Sequence, residues 1–220
     1  MIEAVVFDLD GLLLDTEQVW DEVREAITYE RGGRWHNRAQ ADMMGMSSAE
    51  WSRYMHDELD LADPPDELNR LVVERMLERY RDRLPLVDGA VEAVRRLAAR
   101  WPLALASSSN RPVIDVALEL MGIAGLFRAT LSSEEVARGK PSPDVYLEAA
   151  RRLAVPPDSA VAIEDSANGI RSAKAAGMCV IAIPNPHFPP PDEVLAAADA
   201  VLGSLAELTP DAVESASSRP

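Results

Sequence analysis

Ala4-Val5-Val6-Phe7-Asp8-Leu9-Asp10-Gly11 joins four consecutive apolar residues to two carboxylates and a glycine. A short, unbroken apolar run predicts a strand covered on both faces, inside a parallel sheet between helix layers. The pattern recurs along the chain. Leu103-Ala104-Leu105-Ala106 runs into Ser107-Ser108-Ser109, and further candidate strands are 129–131, 160–163, 179–183 and 199–202. Residues 89–100, 111–121, 142–153 and 167–176 carry apolar positions at helical spacing, the last stopped by Gly177. Alternating strand and helix predicts an α/β fold, an open, doubly wound, Rossmann-like parallel sheet.

Residues 16 to 82 break this rhythm. The segment holds 16 acidic and 9 basic residues, six of the eleven aromatics and five of the eight methionines, with no strand-like run. It reads as a small α-helical cap inserted after the first strand, with 1–15 and 83–220 forming the α/β core. An ordinary large helical layer is the alternative. The tail from Pro210 is polar and Ser-rich, and its end is expected to be loose.

The whole chain carries 37 Asp plus Glu against 22 Lys plus Arg, a net charge of −15. That excess opposes a nucleic-acid partner, which needs a basic stripe to displace phosphate counterions, and opposes adsorption to anionic lipid. No run approaches the ~18 apolar residues of a membrane span, and Met1-Ile2-Glu3 opens no basic leader, so a cytoplasmic protein is expected. Cys179 is the sole cysteine, which excludes a disulfide framework. The expected assembly is a monomer or weak homodimer. Of the 22 basic residues only Lys140 and Lys174 are lysines, so a chemical reason for each is worth seeking.

In open α/β sheets, ligands bind beyond the carboxyl ends of the strands. Asp8 and Asp10, the run Ser107-Ser108-Ser109-Asn110, Gly139-Lys140-Pro141 and Glu164-Asp165 fall at such ends or in loops able to join them. Several carboxylates in one crevice repel each other unless a cation joins them. An all-oxygen donor set suits a hard cation such as Mg²⁺. With an ammonium and hydroxyls added, the set describes a phosphate pocket. A carboxylate aligned with the phosphorus can attack it. A second carboxylate two residues on can protonate the leaving alcohol and then deprotonate water.

Asp8-Leu9-Asp10-Gly11-Leu12-Leu13-Leu14-Asp15-Thr16, the serine after the second strand, Gly139-Lys140-Pro141-Ser142-Pro143-Asp144 and Glu164-Asp165-Ser166 resemble the four ordered motifs of the haloacid dehalogenase superfamily. The chain is most similar to its β-phosphoglucomutase-like and sugar-phosphate phosphatases, over residues 1 to about 208. The resemblance implies Asp8 as nucleophile, Asp10 as general acid/base, Ser107 as the hydroxyl on the transferring phosphoryl group, and Lys140 as the lysine of the third motif. It implies Mg²⁺ held by Asp8, the backbone carbonyl of Asp10 and Asp165. Glu164 is a further metal candidate, with a water-mediated role or a solvated strand end as alternatives. Asp10 separates the chain from the dehalogenases, which lack an acid there. In this reading Lys140 must neutralise nucleophile and phosphate from one point, which suits a compact ammonium better than a guanidinium fork.

The β-phosphoglucomutases of the family place a Lys and an Arg in a cap loop, and a His shortly after the first motif. Here Met43-Met44-Gly45-Met46-Ser47-Ser48 resembles that loop, with Met44 and Ser48 at the charged positions, and Trp20 stands in place of the His. These departures favour hydrolysis of a small phosphate monoester, with a sugar phosphate expected, over the mutase. A noncatalytic phosphate-binding or regulatory module is a third reading, opposed by the intact set of reactive residues. The implied partner is a small phosphorylated metabolite. Substrate-binding candidates are Ser107, Ser108, Asn110, Lys140, Thr16, Trp20 and Gly45. Asn110 reads equally as the N-cap before Arg111-Pro112. Trp20 and the methionines read equally as cap core. Trp51 reads as core, Cys179 as a small buried side chain, and Lys174, His36 and His56 as surface.

Overall fold

The computed structural model describes residues 1–44 and 46–217. Gly45, one of the substrate-binding candidates, lies outside them. The sheet contains β1 (Ala4–Phe7), β2 (Leu103–Ser107), β3 (Phe127–Ser132), β4 (Ala160–Glu164), β5 (Cys179–Ala182) and β6 (Ala200–Val201). Every pairing is parallel, in the order β3-β2-β1-β4-β5-β6. Helices α1 (Glu17–Glu30), α2 (Ala39–Met43), α3 (Ser48–Glu58), α4 (Pro65–Asp82) and α5 (Ala90–Ala98) fill the interval between β1 and β2. After β2 come α6 (Arg111–Met121), α7 (Asp144–Leu153), α8 (Ala167–Ala175), α9 (Asp192–Leu195) and α10 (Pro210–Ser217).

The expected strands are present, with ends shifted by a residue or two. β1, β2 and β4 are buried on both faces. Strand alternation then sorts side chains by size. Val5, Phe7, Leu103, Leu105, Val161 and Ile163 join the larger core cluster, while Ala4, Val6, Ala104, Ala106, Ala160 and Ala162 face the other way, against α7 and α8. The alanine face lets α7 and α8 approach the sheet closely, a placement that matters below.

β1 lies in mid-sheet between β2 and β4, at the switch of strand order where doubly wound folds open a crevice. Beyond it the chain turns sharply. Leu13 and Leu14 donate their amides to the Leu9 carbonyl, and Gly11 N–H bonds to the Leu14 carbonyl at 2.7 Å. Leu14 then bridges antiparallel to Leu86, and Asp15 N–H donates to the Pro85 carbonyl at 2.8 Å. The chain thus leaves for α1 and returns from α4 through two adjacent segments.

The polar tail is helical through Ser217: Val213 and Ala216 of α10 are buried, and Arg100 pairs with Glu214; its last three residues, on which the expectation of a loose end falls, lie outside the described residues. One expectation needs correction: Lys174 is not merely solvated. Its ammonium lies 2.9 and 3.0 Å from the Asp199 carboxylate, which also accepts Val180 N–H, so α8 is tied to the sheet edge. A partner 25 residues away leaves no local mark in the sequence. Among the described residues, no helix is long and apolar enough to cross a membrane.

Candidate active site

Asp8 follows β1, and its Oδ1 accepts a hydrogen bond from Lys140 Nζ at 2.6 Å. The same ammonium donates to Glu164 Oε1 at 2.5 Å. All three side chains are buried, Glu164 completely. Tyr146, on the α7 face that meets the alanine-lined side of the sheet, completes the arrangement. Its hydroxyl donates to Glu164 Oε1 at 2.7 Å, and its ring lies 5.0 Å from Lys140 Nζ. The other oxygen of Glu164 accepts Asp165 N–H, Ser166 N–H and the Ser166 hydroxyl at 3.1 to 3.2 Å. Glu164 is therefore a fully bonded anchor that aims Lys140 at Asp8.

Asp8, Glu164 and Asp165 bring carboxylate oxygens within 4.8 Å of one another. Asp165 Oδ1 is buried without a hydrogen-bond partner. Burial, with the charges of Glu164 and Asp10 added and Lys140 opposing, pushes Asp8 up to about 8. Burial and the Glu164 and Asp8 charges push Asp165 well above the usual carboxylate range. Lys140 is pulled down by burial, but Asp8 and Glu164 outweigh that and hold it above its ordinary value. Crowded, buried oxygen donors with one orphaned lone pair fit a hard divalent cation.

The Asp10 carboxylate does not join this cluster. It accepts four hydrogen bonds: from Thr16 Oγ1 at 2.8 Å and Trp20 Nε1 at 3.3 Å on one oxygen, and from Ser107 Oγ at 3.1 Å and Ser109 Oγ at 2.7 Å on the other. Four donors fix the carboxylate's orientation. Thr16, Trp20 and Ser107, expected on the substrate or phosphate, thus meet Asp10 directly.

Two cavities flank these groups. One, of about 320 Å³, is lined by Asp8, Asp10, Ser108, Lys140 and Asp165 from the sheet edge, by Met44, and by the Phe188–Pro191 loop. A smaller one, of about 60 Å³, lies between Asp10, Ser108 and Ser109 below and Glu17, Trp20, Arg24, Met43, Met46 and Trp51 above. Ser108 reaches both. Asn110 lines neither. It occupies the N-cap position of α6 without a side-chain capping bond, and its amide donates to Asn69 at 3.0 Å and Glu134 at 2.7 Å. Glu134 also accepts the Ser48 hydroxyl at 3.0 Å, so this polar cluster joins α3 and α4 to the sheet edge.

Sequence reasoning missed Tyr146, Glu17, Arg24 and Glu134, and gave Ser109 of the serine run no role of its own. Glu17 was signalled by its place beside Thr16. Tyr146 and Arg24 depend on which helix face turns inward, and Glu134 sits in the short turn after β3.

Glycine is required at two close approaches. Gly11, at φ +82°, would place a Cβ 2.0 Å from Asp165 Oδ2. At Gly169 a Cβ would fall 1.8 Å from Glu164 Oε1. Gly169→Ala must therefore drive the Glu164 carboxylate off Lys140 and Tyr146. The expected cost is about 1–3 kcal/mol of stability, together with a fall in turnover. Denaturant unfolding and activity assays check this; a variant unchanged in both would show that Glu164 is free to move.

A family model described as haloacid dehalogenase-like hydrolase matches residues 2–177. The bifunctional riboflavin kinase/FMN phosphatase of Arabidopsis thaliana is 32% identical over 207 residues, covering 93% of this chain; the chain spans only 54% of that protein's length. Hexitol phosphatase B of Escherichia coli K12 is 33% identical over 216 residues, covering 94% of this chain and 95% of the relative. Among solved structures, CbbY from Rhodobacter sphaeroides in complex with phosphate superposes with a TM-score of 0.82 at 30% identity, covering 94% of this chain and 96% of that one.

Proposed function

This chain belongs to the haloacid dehalogenase-like hydrolases and is a phosphoric monoester hydrolase; from that premise we propose that it cleaves a small, sugar-type phosphate ester through a covalent phosphate on Asp8, with Mg²⁺ in the adjacent carboxylate cluster. The observation that supports this most directly is the Lys140 ammonium, bonded at once to Asp8 and Glu164 beside the orphaned oxygen of Asp165. Asp8 and Asp165, with the Asp10 backbone carbonyl, would hold the ion, Glu164 standing beside it as the anchor of Lys140; the ion would supply charge neutralisation for the phosphoryl oxygens.

The rest is the work of side chains. An Asp8 carboxylate oxygen bonds to phosphorus as the ester P–O bond breaks. Asp10 gives its proton to the leaving oxygen. A water then attacks phosphorus, Asp10 takes its proton, and the Asp8–phosphate bond breaks to release inorganic phosphate and restore the carboxylate. Lys140 stays protonated throughout, holding Asp8 and the incoming anion. Residues 16–82 serve as a cap that excludes bulk water and selects the leaving group. The side-by-side exit and return at Asp15 and Pro85 supports a pivot there.

The test is inorganic phosphate release from sugar and polyol phosphates, with Mg²⁺ and with EDTA. Release that depends on Mg²⁺ is expected. Isomerisation of glucose 1-phosphate without release would support the mutase instead, and no turnover of any ester would sink the hydrolytic reading.

A further inference from the structure

Arg24 on α1 is 8% exposed, an unusual state for a guanidinium. Its Cζ lies 4.9 Å from the Trp20 ring centroid and 5.0 Å from that of Trp51, so the guanidinium sits against two indoles. Such contacts offset part of the lost hydration but satisfy no N–H. The buried Nε has no hydrogen-bond partner. Glu17, Asp21 and Asp10 act on Arg24 through space, and among the described residues none forms an ion pair with it. Burial pulls its pKa down to about 10, opposed by those three charges, so it stays cationic at neutral pH. A charged fork of donors without acceptors, almost wholly buried, is what an anion-binding pocket presents before its ligand arrives.

The fork lines the smaller cavity, together with Asp10 and Glu17. Trp20 spans the distance between them, since its Nε1 bonds to Asp10 and its ring touches Arg24. Only one indole therefore separates the proposed leaving-group acid from the guanidinium, so a ligand bridging the two needs a short spacer. The cavity is the smaller of the two, about 60 Å³, and a carboxylate is the anionic group that matches a guanidinium fork with the fewest atoms. Glu17 on the same wall can accept a hydroxyl hydrogen.

We propose that Arg24 is the receptor for a second acidic group of the substrate, so that the substrate class is the phosphate monoester of a short hydroxy acid. This rests on the hydrolytic reading for the position of the phosphate, and extends it to the rest of the molecule. The phosphate sits at Asp8 and Lys140, the hydroxyl meets Glu17, and the carboxylate meets Arg24 in a charge-assisted pair.

Two probes isolate the carboxylate. 3-Phosphoglycerate and glycerol 3-phosphate differ only in a carboxylate in place of a hydroxymethyl group. Their dissociation constants are measured by calorimetry on Asp8→Asn protein, which removes the nucleophile. The acid is expected to bind about tenfold or more tightly than the alcohol, the scale of a hydrogen bond to a charged group. That ratio should fall to near one in Asp8→Asn/Arg24→Met and in Asp8→Asn/Arg24→Gln, two variants whose folding is affected differently. A ratio near one with Arg24 present, a ratio that survives its replacement, or no binding of either ester would overturn the inference. Phosphate release by the unmodified enzyme separates the two readings. Release without acid preference overturns the Arg24 assignment alone, and acid preference without release overturns hydrolysis alone.

Discussion

Asp8→Asn is expected to lower phosphate release by roughly 10⁴-fold or more, the scale seen when a covalent nucleophile is removed. The amide keeps the shape of the carboxylate and can still accept from Lys140, so the loss is chemical and not architectural. Stability supplies the control. Asp8 is held at about 8 in the folded protein, above its ordinary value of 3.8, by burial and neighbouring negative charge. The fold therefore opposes the ionised form, and stability falls as pH rises from near 4 toward 8. A neutral amide removes that penalty. The metal-free variant should melt no lower than the unmodified protein in EDTA at pH 7.5. Substantial hydrolysis retained by Asp8→Asn would remove Asp8 from the role of nucleophile. A large loss of stability would instead attribute the inactivity to misfolding.

Lys140→Ala is expected to damage both fold and turnover. It leaves Glu164 buried with no ammonium beside it, a loss that Asp8→Asn does not cause because Lys140 then still pairs with Glu164, and removing one partner of a buried pair costs about 3–5 kcal/mol. In a chain of this size that lowers the melting temperature by on the order of 10 °C. Loss of a preorganised donor at the transferring group removes a further ~10²–10³ in turnover. Lys140→Arg separates charge from shape. It restores the charge, but Asp8, Glu164 and the Tyr146 ring converge on a single ammonium position, which a planar fork does not reproduce. Recovery should be slight. Full activity in the Arg variant would remove the argument that this site demands a compact cation. Unfolding and phosphate-release measurements on both variants decide.

Much of this site is legible from the sequence for one physical reason. Parallel strands put their following residues on a common edge, so Asp8, Ser107 and Glu164 must converge once β1, β2 and β4 are recognised as adjacent. The apolar runs are short and complete, which makes those strands visible. What the sequence hides is set by helix rotation and long-range pairing. Tyr146 reaches Glu164 only because α7 lies close over an alanine-lined sheet face. Glu134 meets Ser48 and Asn110 across the polar cluster between helices and sheet edge. Arg24 looks like one more charge on an amphipathic helix until the two indoles beside it are placed. Ser107 and Thr16 show a subtler shift: both are near the chemistry, yet their hydroxyls are bonded to Asp10.

The four donors to Asp10 come from two different parts of the chain. Ser107 and Ser109 belong to the sheet edge, whereas Thr16 and Trp20 stand at the start of the helical segment. Any swing of α1 away from the sheet would strip the carboxylate of half its hydrogen bonds and release its orientation. Under the proposed mechanism, proton transfer by Asp10 would then be timed by docking. Such wiring would guard against idle hydrolysis, because the posture admitting bulk water would also disarm the group meant to activate it.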